Sequence, residues 1–311
     1  MKPHNILPTL ALLITMVALL GMIGWILSGA SGAFITVGLG TYLAIFARGG
    51  SKHLMMRAIG ARRLQVEEAP SLYAILDELC RRAGLSRMPD IYLMDASVMM
   101  GFSAGSNERG ASIVLTGPLV QGLNAREISG VLAHEICHIH AGDLEIMGMA
   151  DLFTRITRTL SLLGLFLVIL NVPLSVSASG PLPWSALMLL IVAPLVNHLL
   201  QQLLSRSREY EADEDGVNIC GDPASFASAL QKLESPKKKT LRHAYLPHAL
   251  GMVPSLLRSH PMIQDRVDRI LKQSPTFQAL PESLVGEAHG FPKGWSKDFS
   301  LPVRWLMRWW R

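Results

Sequence analysis

Val131-Leu-Ala-His-Glu-Ile-Cys-His-Ile-His140 decides how the chain is read, because it holds His134-Glu135-Ile136-Cys137-His138, an HExxH pattern. Residues four apart on a helix stand one turn above each other on one face. His134 and His138 can therefore offer two imidazole nitrogens to a single ion. Glu135, one step round, reaches the same place without having to be a ligand. Two neutral nitrogen donors beside a carboxylate base are what a zinc hydrolase requires. Local signals for the helix are complete. Asn124 is a cap with Glu127 three residues on, Ile128, Val131, Leu132 and Ile136 form an apolar stripe, and Gly142 is a stop. Cys137 points away from the two histidines and reads as a small buried apolar residue.

Around this stretch the composition is that of a membrane protein. Half of the 311 residues are hydrophobic and only 17% are charged, against about 25% in soluble domains. Four runs are apolar enough to span a bilayer: residues 7–27, 33–46, 160–176 and 184–204. A bilayer needs about twenty residues, so the second is marginal. Short uncharged connectors join them into two hairpins. The first run is too long for the apolar part of a cleaved signal, and another span follows directly, so it reads as an uncleaved anchor. Basic residues lie outside the hairpins: Lys2 before the first; Arg48, Lys52, Arg57, Arg62 and Arg63 after it; Arg155 and Arg158 before the second; Arg206 and Arg208 after it. By the positive-inside rule both termini and the HExxH segment are cytoplasmic. The net charge of +5 belongs to this pattern, and no nucleic-acid-binding motif accompanies it. Three widely spaced cysteines, Cys80, Cys137 and Cys220, make no CxxC and predict reduced thiols.

The expected class is membrane α+β: two transmembrane hairpins carrying a mostly helical, zincin-like catalytic portion with a small β-sheet. The divisions are residues 1–48 (first hairpin), 49–159 (cytoplasmic part with HExxH), 160–204 (second hairpin), 205–280 (remaining catalytic part) and 281–311 (basic, Trp-rich tail). Pro70 starts a helix that Gly84 ends, and residues 90–95 and 112–116 read as strands around a Gly- and Ser-containing turn. A helix follows span four to about Ile219, Asp222-Pro223 opens another, and a third runs from Pro261 to Leu271. Residues 235–254, with Lys237-Lys238-Lys239, read as a loop that is solvated or meets anionic lipid. The closing Arg304-Trp-Leu-Met-Arg-Trp-Trp-Arg311 suits a membrane interface. His198, inside span four, is expected to hydrogen-bond between helices rather than to reach the ion.

A catalytic zinc takes three protein ligands and leaves a position open. Ile139-His-Ala-Gly-Asp143 follows the motif and is not a metzincin continuation, so the third ligand comes from elsewhere. Glu209, in Ser207-Arg-Glu-Tyr-Glu-Ala-Asp213, is the best candidate. It shares a helix face with Asp213, so one carboxylate can bind metal while the other holds a ligand histidine. Taken alone, the segment reads more simply as an exposed acidic helix paired with Arg206 and Arg208.

Together these segments resemble the HtpX-type heat-shock membrane metalloproteases, a family shared with the CAAX prenyl endopeptidases. The likeness is carried by the first apolar hairpin, Arg57-Ala-Ile-Gly-Ala61, His134 through Asp143, the second hairpin, Ser207 through Asp213 and Ser259-His-Pro261. The resemblance implies one zinc per chain on His134, His138 and Glu209, Glu135 as general base, Asp213 behind a ligand histidine, and His260 at the oxyanion. It also implies that an edge strand, Met100, Gly101, Phe102 and Ser103, takes up substrate backbone. Many relatives carry Asn-Ala-Phe-Ala there, so Met100 replaces the asparagine that would hold that backbone.

The expectation is a zinc metalloendopeptidase, a hydrolase of the bacterial inner membrane, multi-pass, acting in stress response and membrane protein quality control. Its substrates would be unfolded or membrane proteins, with the bilayer as its other partner and no nucleic acid. Processing of prenylated CAAX tails is the nearer alternative. A non-catalytic membrane zinc protein is the more distant one, and Glu135 speaks against it because a structural zinc site has no use for a base.

Overall fold

A computed structural model describes residues 3–46, 52–105, 108–177, 184–233 and 263–285. The expected lysine loop, the Trp-rich tail and His260 lie outside the described residues. The chain divides into two compact units. One takes in residues up to Gly50 and Ala141–Glu211; the other takes in Ser51–His140, Ala212–Met252 and the chain from Met262.

In the first unit, α1 (Pro3–Phe46) is broken by non-helical angles at Ser28 and Gly29, the latter with φ of +62°. Glycine adopts that angle without a Cβ clash, so the run folds back into two arms. The arms touch through small residues: a Cβ on Gly32 would collide with the Gly24 carbonyl oxygen, and Thr36 Oγ1 donates to the Leu20 carbonyl at 3.4 Å. Helix α6 (Asp143–Ser177) begins well before the apolar run that the sequence marked, as one 35-residue element. It packs on α1 through Met16, Leu20, Ala44, Met147, Ala150 and Phe153. Helix α7 (Trp184–Cys220) runs antiparallel to it, with Asn197 Nδ2 donating to Thr157 Oγ1 at 2.6 Å.

Among the described residues, two stretches, Ile6–Ile45 and Met188–Cys220, are long and apolar enough to cross a membrane, with mean hydropathies of 2.5 and 1.5. Leu7, Phe34 and Ile169 are 76%, 80% and 68% exposed. So much bare apolar surface calls for lipid or a partner rather than water.

The second unit is built on a mixed sheet. Strand β2 (Asp90–Met94) pairs parallel with β4 (Ser112–Thr116), and β3 (Gly101–Ala104) returns antiparallel to β4. The two strands expected at 90 and 112 are thus neighbours in the sheet, paired in parallel. A short β1 (Arg62–Arg63) joins β2, giving the order β1-β2-β4-β3 with β3 at an edge. After the short α2 (Lys52–Ala58), helix α3 (Pro70–Ala83) ends at Gly84 in the left-handed region, where the sequence put its stop.

Helix α5 (Ala125–Ala141) follows β4 and the short α4 (Gly117–Gly122) and carries the HExxH motif. Its start is capped reciprocally: the Glu127 amide donates to Asn124 Oδ1 and the Asn124 amide to Glu127 Oε2, both at 2.9 Å. Glu127 is buried and also accepts from Ser228 Oγ at 2.6 Å and Lys232 Nζ at 2.7 Å on α8 (Pro223–Leu233). Phe226 of α8 lies against Gly130, where an added Cβ would sit 2.9 Å from its atoms. Helix α9 (Ile263–Leu271) turns Val267 and Ile270 inward. The unit continues through α10 (Glu282–Val285), where Val285 is buried and Glu282 pairs with Arg126.

Burial alone would raise the Glu127 carboxyl, but Lys232, Ser228 and the Asn124 amide together hold it below the ordinary 4.5. A depressed folded-state value gives stability that is present above the unfolded value and is lost as pH falls through the folded one. Glu127→Ala is therefore expected to cost about 2–3 kcal/mol near neutral pH. In thermal unfolding the deficit should shrink as pH drops below 4.5. All three cysteines are buried, and burial pushes the Cys80 thiol up to about 12. Iodoacetamide at pH near 8 should spare Cys80 in the native protein and label it after denaturation.

Candidate active site

One face of α5 supplies both histidines. Each is buried, and their Nε2 atoms lie 3.1 Å apart with the rings edge to face at 88°. Two nitrogens bound to one tetrahedral zinc at about 2.0–2.1 Å stand about 3.3 Å apart, so the spacing fits a shared ion. Glu135 is buried on the adjoining position.

Helix α7 supplies the acids. Asp213 Oδ1 stands 3.1 Å from His134 Nδ1. Close helix approach makes this reach short: a Cβ on Gly216 would sit 3.4 Å from the His134 backbone and 3.3 Å from Phe226. Glu209 is one turn earlier on the same unbroken helix and only 1% exposed. One donor atom from each of His134, His138 and Glu209 falls within 4.8 Å of the others, a group that could hold a metal ion. The donor set, two imidazoles and a carboxylate without sulfur, is that of catalytic rather than structural zinc.

The exposed acidic helix is thereby excluded as a reading of this segment. Asp213 is 2% exposed and takes both of its Arg266 bonds at 2.6 Å. Arg208 turns instead to Glu211 at 2.8 Å and Asp143 at 3.5 Å. The sequence reading missed Arg266. The one available signal was its position beside Val267 and Ile270 on the inward side of α9.

The strand singled out for substrate backbone is the sheet edge β3. Met100, Phe102 and Ser103 are buried, and Gly101 faces Val131 of α5, to which a Cβ would come within 3.2 Å. The Met100 amide donates to Thr116 Oγ1 at 2.9 Å. His198 pairs with Gln202 on its own helix, their nitrogens 2.8 Å apart, rather than with another helix.

Known proteins resemble this chain. The chain is similar to the crystal structure of S. mikatae Ste24p, with a TM-score of 0.43 and 22% identity. That match covers 76% of this chain and 63% of the other, so the chain spans less than two thirds of that protein. Curated relatives are matched nearly end to end. A "Protease HtpX homolog" from Methylibium petroleiphilum is 28% identical over 288 residues, 87% of this chain and 98% of its own. Another from Bifidobacterium longum is 32% identical over 295 residues, 89% of this chain and 94% of its own. The family model described as peptidase family M48 matches residues 67–274, which take in the α5 histidines, the α7 carboxylates and Arg266, and the chain belongs to that family.

Proposed function

We propose that the chain is a zinc-dependent endopeptidase embedded in the bacterial inner membrane. It cuts peptide bonds of misfolded or membrane proteins at the cytoplasmic face, in stress response and membrane protein quality control. The observation that carries this reading is the buried trio His134, His138 and Glu209, its donor atoms within 4.8 Å, with Glu135 next to the first ligand.

His134, His138 and Glu209 would hold the ion, and Asp213 keeps His134 oriented. Zinc, when bound, polarises the scissile carbonyl and makes water acidic enough to attack near neutral pH. Glu135 takes the proton of the attacking water on its carboxylate and delivers it to the leaving amide nitrogen. His260 would donate a hydrogen bond to the oxyanion. Strand β3 offers its edge to an extended substrate. Met100 stands where relatives carry asparagine, so hold on the substrate there relies on main-chain pairing rather than an amide side chain.

The bare apolar arms of α1 and the apolar lengths of α6 and α7 support four spans in two hairpins. The positions of Arg48, Arg155, Arg158 and Arg206 support cytoplasmic termini and a cytoplasmic site.

Glu135→Gln is expected to retain zinc while cleavage of an unfolded protein such as casein falls by about 10²–10⁴-fold. Wild-type cleavage by that variant, with normal zinc content, would refute the assigned chemistry. Glu209→Ala is expected to lower both zinc content and cleavage, and 1,10-phenanthroline should abolish cleavage by the wild type reversibly on adding zinc.

A further inference from the structure

Arg266 is a permanently charged side chain with almost no water to face; it is 4% exposed. A guanidinium keeps its proton at any pH the protein meets, so its burial requires an anion. Asp213 is that anion. Arg266 Nε donates to Asp213 Oδ2 and Nη2 to Oδ1, each at 2.6 Å, a two-pronged fork that fixes the plane of the carboxylate. The same Oδ1 stands 3.1 Å from His134 Nδ1. An imidazole donating its Nδ1–H there keeps its lone pair on Nε2. That Nε2 is the atom 3.1 Å from His138 Nε2.

We propose that Arg266 is a positioning residue for the metal centre. By clamping both oxygens of Asp213 it fixes the ring plane and the tautomer of His134, so zinc affinity depends on a side chain that touches neither ion nor substrate. The proposal rests on the reading of His134 and His138 as zinc ligands. Lysine cannot replace the fork, because an ammonium is a point charge without a planar pair of donors.

The test is a double-mutant cycle on the full chain in detergent. It reads zinc dissociation constants by chelator competition, with thermal unfolding of the metal-free protein as the folding control. Arg266→Gln is expected to weaken zinc binding by about 10- to 100-fold, and Arg266→Lys by less. In an Asp213→Asn background the same change should cost under about twofold, because its route to His134 is already broken. A folded Arg266→Gln protein that binds zinc within about twofold of wild type overturns the proposal, and so does full additivity in the Asp213→Asn background. If Arg266→Gln does not fold, the Arg266→Lys cycle is read by the same criteria. Failure of the underlying reading looks different: zinc uptake would then survive His138→Ala. Zinc uptake lost in His138→Ala but indifferent to Arg266 defeats the positioning role alone.

Discussion

A carboxylate buried as deeply as Asp213 must be compensated, and its compensation organises the second unit. Removing an ion from water costs several kcal/mol, which is recovered only where partners are close and well aimed. Asp213 has Arg266 on one side and His134 on the other. Three helices distant in sequence, α5, α7 and α9, thus have one arrangement in which this charge is tolerated. The absent side chains at Gly130 and Gly216 let Phe226 and the α5 backbone come close enough for the distances to be met. Site geometry and unit stability are therefore the same constraint seen twice.

The first unit follows a different logic. Its outer surfaces are apolar, while polar groups lie between helices. Asn197 meets Thr157 at 2.6 Å, and the fully buried Arg208 meets Glu211, Asp143 and Thr9. In a lipid-facing bundle, polar side chains turned inward hold helices together because lipid offers them no partner. Water would demand the reverse distribution. This inversion lets a 44-residue apolar stretch fold as two arms rather than as a core.

Much of this was legible in the sequence because the signals are local. Four-residue spacing put His134 and His138 on one face, Asn124 and Glu127 capped their helix, and Gly84 ended α3, each read from neighbours along the chain. Glu209 and Asp213 were legible for the same reason, one turn apart on one helix. The rest was hidden by distance along the chain. Arg266 pairs with a residue 53 positions away, and no periodicity distinguishes it from a solvated arginine. The parallel pairing of β2 with β4, with β3 returning antiparallel along β4, joins segments about twenty residues apart, and no local spacing announces its direction. Helix α6 extends back to Asp143 because the polar residues ahead of its apolar run are good helix formers, a continuation that a hydropathy window passes over. For His198, the partner among the described residues is Gln202, one turn on along its own helix.

In the proposed metal centre the turn-spaced imidazoles and a helix-borne carboxylate meet on one zinc. X-ray absorption at the zinc edge of the purified, metal-loaded protein tests it most directly. The expected shell holds two imidazole nitrogens at about 2.0–2.1 Å, oxygen completing it and no sulfur. A zinc–sulfur distance of about 2.3 Å, or a single imidazole in the shell, would contradict it.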